Sequence, residues 1–416
     1  MEKIPLEQKK HKSLLRFGFF LFLLIPVALI TGPLLVEIIS FLLVIIFFIL
    51  IYQNKDYYIF NKYFFNIFLF FYIYLVIISF LSENIFLSLK SSLFYFRFGF
   101  FYIAACYFFE NKNQHHNKIV YCLFFILVFI FFDALFQIYM GFNIFNQKLV
   151  QLTRASSFFG DELIMGSYTV RILPIIISII YYFKIKKLIN LIPLLWFITI
   201  GTIILSGEKN ALGLAIILTG IYFLNSNFSY TKKIAALFIL IFISYTMFSA
   251  FPHLKKRIYI QAKQLTSNGN FGIPAVHAAH FKTAYAMFVD KPFIGHGPKT
   301  FRMQCNDIKF KYNRWSCSTH PHNMYMQLLS ETGLIGFLFV FLIWIYCCFR
   351  LIILFFKNNK NNYDHQFNVF ATAALFINLF PISTSGNIFN NWMSYVYFMS
   401  ISLFVYSLKK SGKINA

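Results

Sequence analysis

The sequence predicts an all-α polytopic membrane protein with about 12 transmembrane helices and one large extracytoplasmic helical loop, on three observations. Of its 416 residues, 59% are apolar and 12% charged, whereas a soluble domain is about 45–50% apolar and about 25% charged. The apolar residues gather in runs, among them Phe17 to Ile30, Ile38 to Ile51, Tyr63 to Leu81 and Ile119 to Phe132. Most of these approach the roughly 20 residues that cross a ~30 Å hydrocarbon core. The basic residues sit in short clusters between the runs, where the positive-inside rule puts them.

Cutting the runs at Pro, Gly and charge clusters places spans at 14–30, 34–52, 63–81, 92–109, 119–139, 163–183, 188–206, 210–225, 234–250, 333–356, 367–382 and 393–408. The first reads as a retained span, because no A-x-A-like site follows it. Charge tests the count. Lys3, Lys9, Lys10, Lys12, Arg16, Lys55, Lys62, Lys112, Lys118, Lys184, Lys186, Lys187, Lys232, Lys233, Arg350, Lys357, Lys360, Lys409, Lys410 and Lys413 fall on one side, 20 in all; Lys90, Lys148, Arg154 and Lys209 are the 4 in short loops on the other. Both termini are therefore expected in the cytoplasm. The net charge of +23 reports topology and gives no reason to expect a nucleic-acid partner.

The chain then divides into spans one to nine (1–250), a loop (251–332) and spans ten to twelve (333–416). Connections of this length are uncommon and usually functional. The loop holds 11 of the 37 Lys and Arg residues and six of the ten histidines: His253, His277, His280, His296, His320 and His322. Val276 to Val289 has apolar residues at helical spacing, and Asp290-Lys291-Pro292 ends that helix. A second helix is expected to start at Pro321 and to run to Gly333 or merge with the next span. Both helices would lie on or dip into the outer membrane face.

Four groups of residues could carry chemistry. In His320-Pro321-His322-Asn323-Met324-Tyr325, a histidine in the first turn of a helix feels the positive end of the dipole, stays neutral and can serve as general base; the same helix start can receive an anion. Two other readings stay open: polar caps at a membrane interface, or a metal site formed with His277 and His280, for which carboxylate or thiolate partners are wanting. In Ser206-Gly207-Glu208-Lys209-Asn210-Ala211, Lys209 either meets a lipid phosphate, or it snorkels or pairs with Glu208. Arg154 to Leu163 leads into a span holding Arg171, for which a pairing with Glu162 is an equal structural reading. Arg97, Asp133 and Glu37 read as structural. Arg302 follows the Gly295–Thr300 turn, and Cys305 and Cys317 are either a disulfide or two free thiols. The remaining cysteines, Cys106, Cys122, Cys347 and Cys348, read as packing residues.

The run Asp290-Lys291-Pro292-Phe293-Ile294-Gly295-His296-Gly297, followed by His322-Asn323-Met324-Tyr325-Met326-Gln327 and Glu331-Thr332-Gly333, resembles the bacterial O-antigen ligase and O-antigen polymerase superfamily. Its members show a D-x-P-x-x-G-x-G turn and an H-N-x-Y-L-Q-x-x-x-E-x-G helix before a span, and Ser206 to Ala211 looks like their S-G-x-R-x-A turn. The resemblance implies transfer of a glycan from an undecaprenyl-pyrophosphate carrier to a sugar hydroxyl at the outer face of the bacterial inner membrane. It implies His322, or His320, as general base. Lys209, Arg302, Lys282, His280 and Arg154 are the implied cations for the pyrophosphate, and Glu162, Asn323, Tyr325 and Glu331 the supporting residues. No metal or cofactor is implied. The implied partners are the lipid-linked glycan donor, a lipid A–core or glycan acceptor, and membrane lipids. The sequence departs from the family at Lys209, where arginine is usual, since lysine lacks the planar fork that grips a phosphate bidentately. The helix before Asp290 also offers His277, His280 and Lys282 where an arginine is frequent. Within the family the reading leans to the ligase, with the repeat-unit polymerase as alternative. A lipid-linked glycan transporter or flippase is the other class; such proteins show repeats and broken helices, and no repeat is visible.

Overall fold

The computed structural model describes residues 6–61, 63–111, 117–149, 154–226, 229–250, 275–357, 359–389 and 393–412. His253, Lys3, Lys62, Lys112, Lys413 and the first part of the long loop lie outside the described residues. The helices are α1 (Leu6–Ile30), α2 (Pro33–Asn54), α3 (Tyr63–Phe80), α4 (Ile85–Leu93), α5 (Phe96–Glu110), α6 (Asn117–Met140), α7 (Met165–Tyr182), α8 (Lys186–Asn190), α9 (Ile192–Ser206), α10 (Lys209–Asn225), α11 (Tyr230–Ala250), α12 (Ala275–Asp290), α13 (Phe301–Gln304), α14 (Met324–Phe356), α15 (Tyr363–Asn378) and α16 (Ser394–Lys410). The described residues form no sheet, only an isolated bridge between Phe142 and Lys148.

Helix covers all or most of each of the twelve segments read as spans. Six helical stretches among the described residues are long and apolar enough to cross a membrane: His11–Thr31, Pro33–Asn54, Ile85–Glu110, Val120–Met140, Met165–Tyr182 and Met324–Phe356. Phe64–Phe80, α9 and α10 are apolar but shorter. The polar content of α15 and α16 has a physical reason. α15 buries His365, Gln366, Thr372 and Asn378, and α16 buries Ser394, Ser400, Ser402 and Ser407. A helix screened from lipid by its neighbours need not be apolar all round. α15 packs against α7, α14 and α16, and Gln366 and Asn378 donate to Asn225 and Ser400. The core between α1, α5 and α16 is aromatic, as in the edge-on contact of Phe22 with Phe109 at 5.0 Å.

The bundle has two chemically different ends. At one, Lys409 meets Glu110 at 2.9 Å and Lys410 meets Asp364 at 2.7 Å. At the other, the segments at 81–84, 141–149, 154–164, 206–208, 291–323 and 379–389 converge, joined by hydrogen bonds such as Ser88 to Pro298, Gln304 to Glu83, and Ser385 to His322. Residues read as structural from sequence take structural partners. Arg97 pairs with Glu37 at 3.2 Å, and Tyr395 also donates to Glu37. Asp133 accepts from Ile144 N and Ser157 Oγ.

The expected second loop helix does merge with the tenth span, as α14, but it starts at Met324 and not at Pro321. Asn323 is the N-cap, its side chain accepting from the amides of Tyr325 and Met326. An N-cap asparagine outcompetes Pro321 because it satisfies two otherwise orphaned amides. His320 and His322 therefore precede the helix and do not lie in its first turn, and His322 takes a φ of 60°. α14 also breaks at Gly333 (φ 65°, ψ −166°). The break leaves backbone groups without helical partners, and each is met from outside. Leu334 N donates to Pro292 O at 2.7 Å, and Tyr74 OH donates to Thr332 O. A Cβ at Gly333 would lie 2.3 Å from the Phe293 carbonyl, and one at Gly295 (φ 68°) would lie 2.5 Å from the backbone of Glu331. The two glycines thus let the turn and the broken helix meet backbone to backbone.

Candidate functional site

α12 and the segment before α14 bring four imidazoles together. His277 and His280 stand three residues apart on α12 and so share a face. The His322 ring lies 5.2 Å from His277, 5.3 Å from His280 and 4.3 Å from His320, centroid to centroid. Among the described residues no group of three His, Cys, Asp or Glu side chains has the arrangement to hold a metal ion. α12 is placed by its packing on α14 and by His296, which donates from Nε2 to Met287 O at 3.0 Å.

The two motif histidines differ in how their nitrogens are used. His320 Nε2 donates to Ser385 O at 3.2 Å, so its Nδ1 accepts from Thr319 Oγ1 at 2.9 Å. His322 Nε2 meets the Ser318 hydroxyl at 3.0 Å, and its Nδ1 has no hydrogen bond to a described residue. Burial, and then the neighbouring imidazoles, push His322 down to about 3. Burial chiefly, with Arg302 close by, pushes His320 down to about 4 against the opposing bond to Ser385. Burial likewise lowers His277 and His280. The cluster is therefore uncharged at neutral pH.

Arg302 is the cation the structure brings to this cluster. One guanidinium nitrogen donates to Thr319 O at 3.2 Å, while its buried Nε has no partner among the described residues. The Nδ1 atoms of His277 and His280 are likewise buried, with no partner among the described residues. Arg302 is set by Glu331, whose carboxylate accepts from Lys299 N, Phe301 N and Gln327 Nε2, each at 2.9 Å, and so holds the start of α13. Lys299, which sequence reasoning passed over, is half-buried in the same turn; burial first, then Arg302 and Lys90, lower its pKa. Lys282 is placed elsewhere. Two residues beyond His280, it points off the shared face and donates to Tyr312 OH at 2.8 Å.

Asn323 and Tyr325 act as anchors. Asn323 Nδ2 donates to Pro381 O at 2.7 Å and to Ser383 O at 3.1 Å, and Tyr325 OH donates to Leu379 O at 2.6 Å. A disulfide joins Cys305 to Cys317, with Cα atoms 5.1 Å apart, fastening the segment that leads into His320.

The second group sits at the 206–208 turn. Arg154 Nε donates to Ser206 O at 2.8 Å and a terminal nitrogen to Leu163 O at 3.2 Å. Lys209 is exposed as the first residue of α10. Glu208 accepts from Gly166 N at 2.7 Å and from Ser167 N at 3.0 Å, capping α7, whereas Glu162 is exposed. Of the two readings of Arg171, the pairing with Glu162 is not formed. Arg171 is 3% exposed and donates to Asn378 O, Ser383 Oγ and Thr384 O. α7 thus joins the two groups, with Ser167 at one and Arg171 at the other about 6 Å along the axis. Sequence reasoning missed the 379–389 segment altogether; its signal was the polar run Ser383-Thr384-Ser385-Gly386-Asn387 between two apolar runs.

Residues 193–341 match the sequence model of the family described as O-antigen ligase. No curated protein matches the chain. The match supports the resemblance to the O-antigen ligase and polymerase superfamily and indicates an O-antigen ligase-type function at the level of the family. With the six apolar helices it describes a multi-pass membrane protein.

Proposed function

We propose that this protein is a membrane glycosyltransferase that moves an O-antigen or related glycan from undecaprenyl pyrophosphate to a sugar hydroxyl of lipid A–core. The reaction runs at the periplasmic side of the bacterial inner membrane, with both chain termini cytoplasmic. The observation that carries the reading is the neutral imidazole cluster around His322 with the Arg302 guanidinium beside it. His322 is the base and His320 its support, because both nitrogens of His320 are engaged while Nδ1 of His322 is open.

In the transfer the acceptor oxygen bonds to the anomeric carbon as the bond from that carbon to the pyrophosphate oxygen breaks. The electron pair leaves with the pyrophosphate, and the hydroxyl proton passes to His322. Arg302, whose Nε has no partner among the described residues, faces the growing negative charge, and Arg154 and Lys209 supply further cations from the neighbouring turn. An imidazole held as low as about 3 is a weak base in the empty site. The bound diphosphate raises it, since a nearby anion favours imidazolium, so basicity rises only when the donor is in place.

The test is turnover of purified lipid-linked glycan with lipid A–core in proteoliposomes, without nucleotide. Polymer appearing on lipid A–core, and lost in His322→Ala, is the expected result. Joining of repeat units on the carrier makes the protein a polymerase instead, and no transfer from an intact donor sinks the enzymatic reading.

A further inference from the structure

We infer that Arg171 is a positioning residue for the histidine motif, acting through the 378–385 segment rather than by touching substrate. The inference rests on the reading above for its kinetic part only.

An arginine inside an apolar helix is costly unless its charge is met. Arg171 lies within α7 and is 3% exposed, and no carboxylate among the described residues is within ion-pairing distance. Its partners are all neutral oxygens: Asn378 O at 3.2 Å, Ser383 Oγ at 3.2 Å and Thr384 O at 3.0 Å. Asn378 is the last residue of α15, so its carbonyl belongs to the orphaned, partly negative end of that helix. The guanidinium caps α15 and grips the chain that leaves it.

The same stretch of chain holds the motif. Ser385, next to Thr384, donates its amide to His322 O at 3.1 Å and accepts from His320 Nε2 at 3.2 Å. Asn323 Nδ2 reaches Pro381 O and Ser383 O. Arg171 on α7 and the histidine motif therefore hold the same few residues, and the bond that fixes the His320 tautomer runs to the residue adjoining the one that Arg171 grips. Without the guanidinium, the buried Asn378 O loses a donor, Thr384 O is no longer gripped, and Ser385 is free to shift. Lysine offers a point charge in place of a fork and restores only part of the grip.

The experiment compares wild type with Arg171→Gln, Arg171→Lys and Ser383→Ala in proteoliposomes. Carbethoxylation by diethyl pyrocarbonate is followed by mass spectrometry at His320 and His322, with His11 on α1 as internal reference, beside glycan transfer. The expected result is faster modification of His320 in Arg171→Gln, because a nitrogen now hydrogen-bonded is released, with Arg171→Lys and Ser383→Ala in between. kcat is expected to fall about 10- to 100-fold with KM for the lipid-linked donor unchanged. Unchanged modification in a folded Arg171→Gln, or a raised donor KM at unchanged kcat, overturns the inference. If Arg171→Gln does not fold, the Arg171→Lys and Ser383→Ala rates decide it by the same criterion. If no form of the protein transfers glycan, the reading of function fails while histidine modification still decides the positioning role.

Discussion

Charge is handled in opposite ways at the two ends of the bundle. Around α15 and α16, Lys184, Lys409 and Lys410 meet Asp364 and Glu110 in pairs that water reaches. Around the histidine motif, Arg171 is buried against carbonyls, Glu331 is buried against amides, and four imidazoles are kept neutral. An exposed pair is worth about 0–1 kcal/mol, because water replaces a lost partner. A buried group that loses its partner has no such substitute. One end can therefore be altered charge by charge, whereas the other is a set of mutually dependent contacts, as expected of a site that must hold its geometry until a substrate arrives.

The sharpest way to break this contrast is at the base. His322→Ala is expected to lower transfer by about 10²- to 10⁴-fold while the melting temperature changes by no more than a few degrees. A variant keeping more than a tenth of wild-type transfer would move the role to another group. Next in size is the backbone contact beneath the motif. Gly333→Ala puts a Cβ 2.3 Å from the Phe293 carbonyl at a φ of 65°, and is expected to lower unfolding free energy by roughly 3 kcal/mol or more. Thermal unfolding in detergent measures it, and a loss below about 1 kcal/mol would mean that the turn can slide off α14. Opening the Cys305–Cys317 bridge comes close behind, since closing a loop of such length contributes about 3 kcal/mol. In Cys317→Ser, hydrogen exchange should quicken across 301–320 and stay unchanged in α15 and α16; uniform quickening would show one cooperative unit where the contrast requires two.

How much of this was legible in the sequence follows the same division. The helices were, because hydrophobic runs cut by charge are a local signal. The motif histidines were visible as residues but not as geometry. Asn323 takes the N-cap that Pro321 was expected to introduce, because the carbonyls at 381 and 383 and the amides at 325 and 326 all converge on one asparagine. Arg171 stands out in the sequence but its partners do not, because Asn378, Ser383 and Thr384 lie some 200 positions away. The imidazole cluster joins residues some 40 positions apart through a tertiary contact that no spacing encodes.

Acid should separate the two ends without any mutation. The histidines at the motif are harder to protonate folded than unfolded, since burial lowers His320 to about 4 and His322 to about 3. The unfolded chain, with histidines near 6.5, then binds more protons as pH falls below that value, so stability is full above about pH 6.5 and declines toward the folded values. The expected loss is on the order of 2 kcal/mol at pH 5 for one such ring. The melting temperature should fall between pH 7 and pH 5, and fall less in His320→Asn. A slope that His320→Asn leaves unchanged would assign the acid sensitivity elsewhere, His365 of α15 being the first alternative because burial lowers it too.

The smallest effect is expected where charge is most visible. Lys409 meets Glu110 at 2.9 Å with 38% of its side chain exposed; Lys409→Ala removes one exposed pair, expected to be worth less than about 1 kcal/mol and to fade as salt screens it. Transfer should be unchanged, because nothing at that end touches the motif. Arg171→Lys makes the matching probe at the other end, a charge-conserving change set against a charge-deleting one. If the contrast is right, the milder substitution does the greater damage to transfer, since Arg171 is held by fixed carbonyls that only a fork can span while Lys409 is held by a carboxylate that water can replace. A Lys409→Ala protein that loses transfer as far as Arg171→Lys does would show that the two ends are coupled through α15 and α16, and that the exposed pairs are part of what keeps the site in shape.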